Sequence, residues 1–442
     1  MKKNPLFWFN DTVIYHIYAL SLSQAPFEND YSGFRNTTAE IEKWIPHIKG
    51  MGFNTALLSP VLKSKSHGYD VTDYFEIDNR IGTNGDFCRL VKKFHENGIR
   101  VVLDSVFNHC GRDFFAFKEL QKQNLNFAEW FSGVDFSKKS PMGDSFTYDT
   151  WSGHFKLPKF NLKNAAVKEY LLNAARFWID NFDIDGMRLD AADVLDKNFM
   201  AELRRVTCAK KNDFWLMGEV VHGDYSKWVN AGTLHSVTNY FLYKSLYSSH
   251  NDNNLFELAN CLDILVPDNG LPLYNFLDNH DISRIASVVN NPNHLVTLYA
   301  LLFTLPGIPS VYYGSEWGFK GVKEKYSDRQ LRPYINIDNR GSYSAPLTGF
   351  INRLINIRQN EKALKYGSYK KIHLEYNSPF IFKRCYENDR IIVAVNISGD
   401  DGFIDLNAHC SCVLTDLLNG ENINPQYYGI KPHSVLILKE NN

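Results

Sequence analysis

Eight short apolar runs, separated by segments of helical periodicity, recur between Thr12 and about Tyr313. The runs are TVIYHIYAL from Thr12, FNTALLSP from Phe53, GIRVVLDSV from Gly98, IDGMRLDA from Ile184, FWLMGEV from Phe214, SVTNYFLY from Ser236, LYNFLDNHD from Leu273 and IPSVYYG from Ile308. This alternation is typical of parallel strands joined by crossover helices, and eight such units are the number that closes a barrel. No strand is followed by a glycine-rich phosphate loop, which disfavours an open doubly wound sheet. We therefore predict an α/β fold built on a (β/α)8 TIM barrel.

Two stretches outside this alternation predict additions to the barrel. Roughly fifty residues lie between the third run and the helix that starts near Asn164, which is too long for an ordinary connection. After about Tyr366 the apolar residues follow a period of two, as in antiparallel strands. The predicted domains are the catalytic barrel over 1–109 and 162–365, a small inserted domain over 110–161 and a C-terminal antiparallel β-sandwich over 366–442.

The charge and cysteine content exclude several classes of partner. A formal net charge of -1 provides no basic field for a nucleic acid or an anionic membrane surface, and no apolar stretch is long enough to span a bilayer. The seven cysteines are widely spread without zinc-site spacing, which indicates free thiols. Because the first residues also lack a signal-like apolar run, we predict a cytoplasmic protein with a neutral ligand.

Several of the predicted strands end in carboxylates. The third run is followed by Asp104, Asn108 and His109, the fourth ends in Arg188 and Asp190, the fifth in Glu219 and His222, and the seventh in Asp278, His280 and Asp281. The C-terminal ends of parallel barrel strands meet at one rim, so we expect Asp190, Glu219 and Asp281 to line a single pocket. One such acid would more often be solvated or structural, but three with an arginine and two histidines indicate catalysis.

The surroundings of two of these acids predict a division of roles. Arg188 lies two residues before Asp190, on the same side of the strand, and is expected to hold Asp190 ionised as a nucleophile. Glu219 follows an apolar strand near ionised aspartates, and both influences should raise its pKa, as a general acid requires. A retaining glycosidase would place these two carboxyls roughly 5 to 5.5 Å apart.

Four segments, DSVFNH, GMRLDAADV, GEVVH and FLDNHD, resemble in order the four signature regions of the α-amylase family, glycoside hydrolase family 13. HGYDVTDY near Tyr69 resembles the family's segment after the second strand, and the resemblance extends over the barrel and the terminal β-domain. It implies Asp190 as nucleophile, Glu219 as acid/base and Asp281 as the third acid that steadies the sugar cation. It also implies substrate-binding positions at Tyr69, His109, Arg188, His280, Asp104, Arg284 and His222.

Further likenesses and departures refine this assignment. LPKFN, from Leu157 to Asn161, is similar to the MPKLN segment of neopullulanases, cyclomaltodextrinases and maltogenic amylases. Val221 stands where that group usually has Trp, which should alter acceptor binding. Ala192 to Val194 replace the Lys-His of calcium-holding amylases, so a structural calcium is not supported and no cofactor is expected. The first strand begins by Thr12, which predicts that the group's N-terminal β-module is missing.

We predict a retaining α-glucan hydrolase that cleaves α-1,4 bonds, and in a broader reading α-1,6 bonds, in maltooligosaccharides or related dextrins. The alternatives are a transglycosylase or isomerising enzyme on the same α-glucosides, and a non-catalytic sugar-binding barrel. The presence of all three acids disfavours the last. The predicted partner is an α-glucan oligosaccharide, with no nucleic acid and no membrane, and the oligomeric state is left open.

Overall fold

The computed structural model describes residues 7–266, 270–342 and 345–441. In chain order its elements begin with β1 (Ile14–Ile17), α1 (Ala19–Leu22), α2 (Thr38–Glu42), α3 (Ile45–Met51), β2 (Thr55–Leu58), α4 (Asn84–Glu96), β3 (Arg100–Ser105), α5 (Phe115–Gln121), β4 (Thr150–Trp151), β5 (His154–Pro158) and α6 (Ala165–Phe182). They continue with β6 (Gly186–Leu189), α7 (Lys197–Lys210), β7 (Trp215–Gly218), β8 (Ser236–Val237), α8 (Tyr240–Asn251), α9 (Phe256–Leu265), β9 (Tyr274–Phe276), α10 (Ile285–Val288), α11 (His294–Thr304), β10 (Ile308–Tyr312), α12 (Ala345–Asn360) and α13 (Lys362–Tyr366). The chain ends with β11 (Ser368–His373), β12 (Phe380–Tyr386), β13 (Asp389–Asn396), β14 (Gly402–Asp405), β15 (Leu414–Asp416), β16 (Asn422–Ile423), β17 (Tyr427–Ile430) and β18 (Ser434–Glu440).

Eight of these strands form one parallel sheet in the order β8-β7-β6-β3-β2-β1-β10-β9. The two ends of the sheet meet where Thr238 pairs in parallel with Tyr274, and the Asn239 amide donates to the Tyr274 carbonyl at 2.9 Å. Closure of the sheet leaves no free edge and gathers all strand C-termini on one rim. The predicted (β/α)8 barrel is confirmed.

Each of the eight predicted runs contains one barrel strand, but the sixth is shorter than its apolar pattern suggested. Strand β8 ends at Val237, and the chain becomes helical from Tyr240. The side chain of Asn239 accepts a hydrogen bond from the Leu242 amide at 3.1 Å and so caps α8. The cap supplies a partner for a helix-end amide, which favours a helix over a continued strand. The expectation of a strand through Tyr243 is wrong for this reason.

The barrel interior is packed near its N-terminal end. Phe9, from a short 3₁₀ helix before β1, stacks on Trp215 with ring centroids 5.5 Å apart. They share a core with inward-facing residues of five other strands, namely Ile14, Leu57, Val102, Tyr274, Phe276 and Ile308. Burying each such side chain stabilises the fold by roughly 1.5–3 kcal/mol. Because these side chains fill the N-terminal end of the barrel, a ligand can contact polar side chains only at the opposite, C-terminal rim.

Two additions accompany the barrel. Between β3 and α6 the chain forms α5 and the antiparallel hairpin β4–β5, within the stretch predicted as an inserted domain. The proposed limits of that domain, residues 110–161, stay a prediction. After α13 a six-stranded sheet in the order β11-β12-β13-β18-β15-β16 accompanies the two-stranded sheet β14-β17. These strands confirm the predicted C-terminal β-sandwich. Among the residues described, no helix combines the length and hydropathy needed to cross a membrane.

Candidate active site

One buried guanidinium, that of Arg188 in β6, collects three carboxylates at the barrel rim. Its Nη1 donates to both oxygens of Asp104 at 2.6 and 2.7 Å, and its Nη2 lies 2.8 Å from Glu219 Oε1. Asp190 Oδ1 lies 3.5 Å from Nη1. The acids come from the ends of the neighbouring strands β3, β6 and β7. The structure therefore brings together four of the predicted site residues around a single cation.

The turn after β6 holds Glu219 by its second oxygen. Ala191 adopts a left-handed conformation with φ of 48°, unusual for a residue with a Cβ, and its amide donates to Glu219 Oε2 at 3.1 Å. Gly218, just before Glu219, permits this approach, because a Cβ there would lie 2.8 Å from the Cβ of Ala192. The strained turn and the glycine fix the position of Glu219 relative to Asp190.

The third acid, Asp281, lies beyond β9 with its own pair of cationic neighbours. Its Oδ2 is 2.8 Å from His280 Nε2, and its Oδ1 is 3.0 Å from Arg332 Nη2. Tyr69 joins this pair to the first cluster, because its hydroxyl donates to Asp104 Oδ2 at 2.9 Å and also contacts His280 Nε2. The Tyr69 and His280 rings are stacked with centroids 5.4 Å apart.

The two acid clusters differ in their electrostatics. Burial and the nearby charge of Glu219 raise the pKa of Asp190 well above its usual range, against the opposing charge of Arg188. Burial also acts to raise the pKa of Asp281, but the charges of His280, Arg332 and Arg188 outweigh it and hold that pKa below its usual range. Asp281 is therefore ionised at neutral pH, whereas burial and the charge of Glu219 favour the protonated form of Asp190.

The expected pairing of Arg188 with Asp190 needs correction. Arg188 and Asp104 are direct register partners in the parallel pair β3–β6, so the guanidinium meets Asp104 first. Its other short contact goes to Glu219 rather than to Asp190. The sequence reasoning expected an ionised Asp190, whereas burial and the charge of Glu219 raise the pKa of Asp190.

His109 is buried beside an aromatic side chain of the hairpin β4–β5. Its ring centroid lies 5.8 Å from that of Trp151, which is partly exposed. Burial and the charge of His67 lower the pKa of His109 to about 3, so the ring is neutral. Its Nε2 has no hydrogen-bond partner within the described residues. A neutral imidazole with a free ring nitrogen beside an aromatic face suits a sugar hydroxyl.

The two remaining predicted substrate-binding residues lie outside this cluster. Arg284 is fully buried, and its guanidinium donates to the carbonyls of Tyr313 and Leu331 and to Ser315 Oγ. These side-chain bonds are directed to the surrounding loops, and the substrate contact of Arg284 stays a prediction. His222 is exposed, and its charge acts on Asp193 in the turn after β6.

Sequence reasoning missed three residues that contact the acids. Arg332 lies in the irregular segment after β10, where no periodic pattern draws attention to it. Tyr240 opens α8 inside a run that was interpreted as a strand, and its hydroxyl donates to Glu219 Oε1 at 3.3 Å. Asn279 stood in a recognised motif without an assigned role, although its Nδ2 donates to the Tyr240 hydroxyl at 3.1 Å. The helix cap at Asn239 was the one sequence signal that could have placed Tyr240.

The fit of a structural calcium can be tested at Asn108, which follows β3. Its Oδ1 is buried without a hydrogen-bond partner in the part of the chain described. Within those same residues, no three His, Cys, Asp or Glu side chains are grouped so that they could hold a metal ion. One amide oxygen is far from the six or more oxygen ligands that calcium prefers. Asn108 Oδ1 alone does not make a calcium cage, and the expectation that the protein needs no metal stays a prediction.

The sequence model described as alpha amylase, catalytic domain, matches residues 37–340 of this chain. The chain belongs to the α-amylase family. Cyclomaltodextrinase of Thermoanaerobacter pseudethanolicus is 32% identical over an alignment of 431 positions that covers 90% of this chain and 72% of that protein. Neopullulanase 2 of Thermoactinomyces vulgaris is 29% identical over 98% of this chain and 78% of its own length.

A solved α-amylase-type structure covers nearly the whole chain. The cyclic α-maltosyl-(1→6)-maltose hydrolase of Arthrobacter globiformis superposes with a TM-score of 0.83 at 26% identity, covering 98% of this chain and 99% of its own. With the relatives above, this likeness places the chain in the cyclomaltodextrinase, neopullulanase and maltogenic amylase group. The protein is a glycoside hydrolase.

Proposed function

We propose that this enzyme hydrolyses α-1,4 glucosidic bonds, and also α-1,6 bonds, in maltooligosaccharides and related dextrins with retention of anomeric configuration. The observation that carries the proposal is the single Arg188 guanidinium shared by Asp104, Asp190 and Glu219 at adjacent strand ends. Double displacement requires two carboxyl groups beside one sugar, one as nucleophile and one as acid/base. The different hydrogen-bond partners of Asp190 and Glu219 suit this division. The cyclomaltodextrinase and neopullulanase names of the relatives support the substrate class.

In the first step Asp190 attacks the anomeric carbon while Glu219 gives its proton to the departing glycosidic oxygen. The bond to the leaving sugar breaks as the bond to Asp190 forms. Burial and the charge of Glu219 raise the pKa of Asp190 against the opposing charge of Arg188, and a sugar with cationic character at its anomeric carbon adds further positive charge. Substrate binding therefore favours the ionised nucleophile.

In the second step the Glu219 carboxylate takes a proton from water, whose oxygen attacks the same carbon and releases Asp190. Asp281, ionised beside His280 and Arg332, stabilises the sugar cation in both steps. Tyr69 and His109 are proposed to contact the sugar at the cleavage point, and Trp151 at the rim to stack on a neighbouring sugar. The reaction needs no cofactor.

The test is turnover of maltotriose with the product anomer followed by proton NMR. The wild-type protein should release the α-anomer first, and Asp190→Asn and Glu219→Gln should each lose at least about a thousandfold in kcat. A β-anomer as first product, or near wild-type turnover by either variant, would contradict the proposal.

A second candidate is transfer of the glucosyl group to another sugar. Val221, partly exposed just after Glu219, presents a smaller face on the acceptor side than the Trp usual in related enzymes. Early product analysis at high maltotriose distinguishes the two, because dominant formation of longer oligomers marks transfer, whereas maltose and glucose mark hydrolysis.

A further inference from the structure

A chain of hydrogen bonds joins the backbone of Asp281 to the side chain of Glu219. The Asp281 amide donates to Asn279 Oδ1 at 2.8 Å, and Asn279 Nδ2 donates to the Tyr240 hydroxyl at 3.1 Å. The Tyr240 hydroxyl in turn donates to Glu219 Oε1 at 3.3 Å. The chain runs between the ends of β9 and β7 through the first residue of α8, and the mechanism above gives it no role.

The direction of this chain is fixed at both ends. Asn279 must present its oxygen to the Asp281 amide, so its NH2 group faces Tyr240. A side-chain NH2 only donates, so the tyrosine oxygen accepts and its single hydrogen is directed to Glu219. Burial and the charges of Glu219 and Asp281 raise the pKa of Tyr240, so the phenol keeps that hydrogen. Its ring is held against Phe276, with centroids 4.9 Å apart.

These contacts suit Glu219 as a carboxylate better than as a neutral acid. Oε1 faces donors from Arg188 and Tyr240, and Oε2 accepts from the Ala191 amide. A neutral Glu219 that carries its hydrogen on Oε2 still accepts from Tyr240 at Oε1, but a bond to a charged carboxylate is stronger than one to a neutral acid. The Tyr240 bond therefore strengthens as Glu219 loses its proton, and this gain lowers the barrier for proton donation.

We infer that Tyr240, oriented by Asn279, is a positioning residue that stabilises the charge formed on Glu219 Oε1 as the proton passes to the leaving oxygen. This inference rests on the proposed function, since it assigns Glu219 the acid step. The other charged groups that interact with Glu219 come from β6 and the turn after it, and they are Arg188, Asp190 and Asp193, while Asp281 at the end of β9 acts on Tyr240. Substitution of Tyr240 leaves all four in place.

The test compares Tyr240→Phe with a matched control, Tyr243→Phe. Tyr243 lies one turn later on α8 and also packs on Phe276, with centroids 5.4 Å apart, but among the described residues its hydroxyl makes no hydrogen bond to a catalytic acid. The measurement is kcat/KM against pH for maltotriose, whose alkaline limb reports loss of the acid's proton in the free enzyme. A thermal melt checks that both variants fold.

For Tyr240→Phe we expect the alkaline limb to move up by about half to one pH unit, because the charged form has lost a donor. Its kcat/KM on maltotriose should fall about three- to tenfold, and less on 4-nitrophenyl α-maltoside, whose leaving group needs little protonation. Tyr243→Phe should show neither change. An unmoved limb in Tyr240→Phe, or an equal shift in Tyr243→Phe, overturns the inference.

Asn279→Ala provides a second route if Tyr240→Phe does not fold. It leaves the tyrosine hydroxyl present but undirected, so we expect a smaller shift of the alkaline limb in the same direction. In the double variant the shift should not exceed that of Tyr240→Phe alone, because both act through one bond. Additive shifts would overturn the inference.

The inference and the proposed function fail in different ways. If the wild-type protein does not hydrolyse maltotriose with retention, the proposed function and the inference are both lost. If it does, and Glu219→Gln abolishes turnover while Tyr240→Phe leaves the limb unmoved, only the role of Tyr240 is lost.

Discussion

Asp185 and Asp190 flank the same strand, β6, and are equally buried, each with 7% of its surface exposed. At the N-terminal end, Asp185 accepts hydrogen bonds from the Val101 amide at 2.9 Å and from His95 Nε2 at 2.8 Å. Burial acts to raise its pKa, but these donors and Lys211 hold that pKa below its usual range. At the C-terminal end, burial and Glu219 raise the pKa of Asp190.

The exposed fraction is the same at the two positions, so the donors around Asp185 and the neighbouring anion Glu219 beside Asp190 decide the opposite directions of the two pKa shifts. Asp185 is fully partnered by protein groups and stabilises the closed end of the barrel. Asp190 has one cation at 3.5 Å, already shared with two other acids. The C-terminal rim thus keeps a buried carboxylate without a full set of protein partners, and we propose that bound substrate supplies the missing interaction. This arrangement lowers folding stability at the rim, whereas the fully partnered Asp185 adds stability at the opposite end of β6.

Asp190→Asn tests the C-terminal end of β6 and should have the largest effect, which is on kcat. We expect kcat on maltotriose to fall by at least about a thousandfold, because the proposed nucleophile is lost. The free energy of unfolding at pH 7 should stay unchanged or rise by up to about 1 kcal/mol, since an incompletely partnered buried charge is removed. Urea unfolding measures the second effect, and a clear loss of stability would contradict our reading of Asp190.

Asp185→Asn is the reciprocal change at the other end of β6. It leaves His95 and Lys211 without their shared anion, and we expect a loss of about 2–3 kcal/mol in unfolding free energy at pH 7. At 25 °C kcat should stay within about twofold of wild type, because the strand end that carries Asp190 is untouched. Loss of activity without loss of stability would show that the two ends do not divide these tasks.

The sequence predicted the strand that carries this comparison but not the partners of its acids. The eight apolar runs and their terminal acids are local patterns, and parallel topology alone brings their ends to one rim. The nearest acid of Arg188 depends on register with Asp104, which no local pattern reports. Arg284 matched a motif yet is fully buried, and Arg332 reaches Asp281 from an irregular segment. Both outcomes depend on loop packing, which periodicity does not encode.

Arg332→Gln extends the test to Asp281, which lies at the same rim as Asp190 but has closer charged partners. The depressed pKa of Asp281 keeps it ionised until pH falls well below the usual aspartate range. Loss of the Arg332 contact at 3.0 Å should raise that pKa while leaving Asp281 ionised at pH 6, and we expect kcat/KM there to fall about tenfold because the carboxylate is less firmly positioned. Arg332→Lys should recover part of the loss, and an unchanged kcat/KM in Arg332→Gln would show that His280 alone positions the acid.

The smallest expected effect is the pH dependence of the stable end, tested with His95→Gln. The hydrogen bond to Asp185 raises the pKa of His95 above its usual value, so the charged pair contributes fully below the unfolded pKa of about 6.5. That contribution is lost as pH rises through the folded pKa. Wild-type unfolding free energy should therefore fall by about 0.5–1 kcal/mol more than that of His95→Gln between pH 6 and pH 9. Parallel stability curves for the two proteins would mean that Asp185 is held by the Val101 amide and Lys211 without help from the imidazolium.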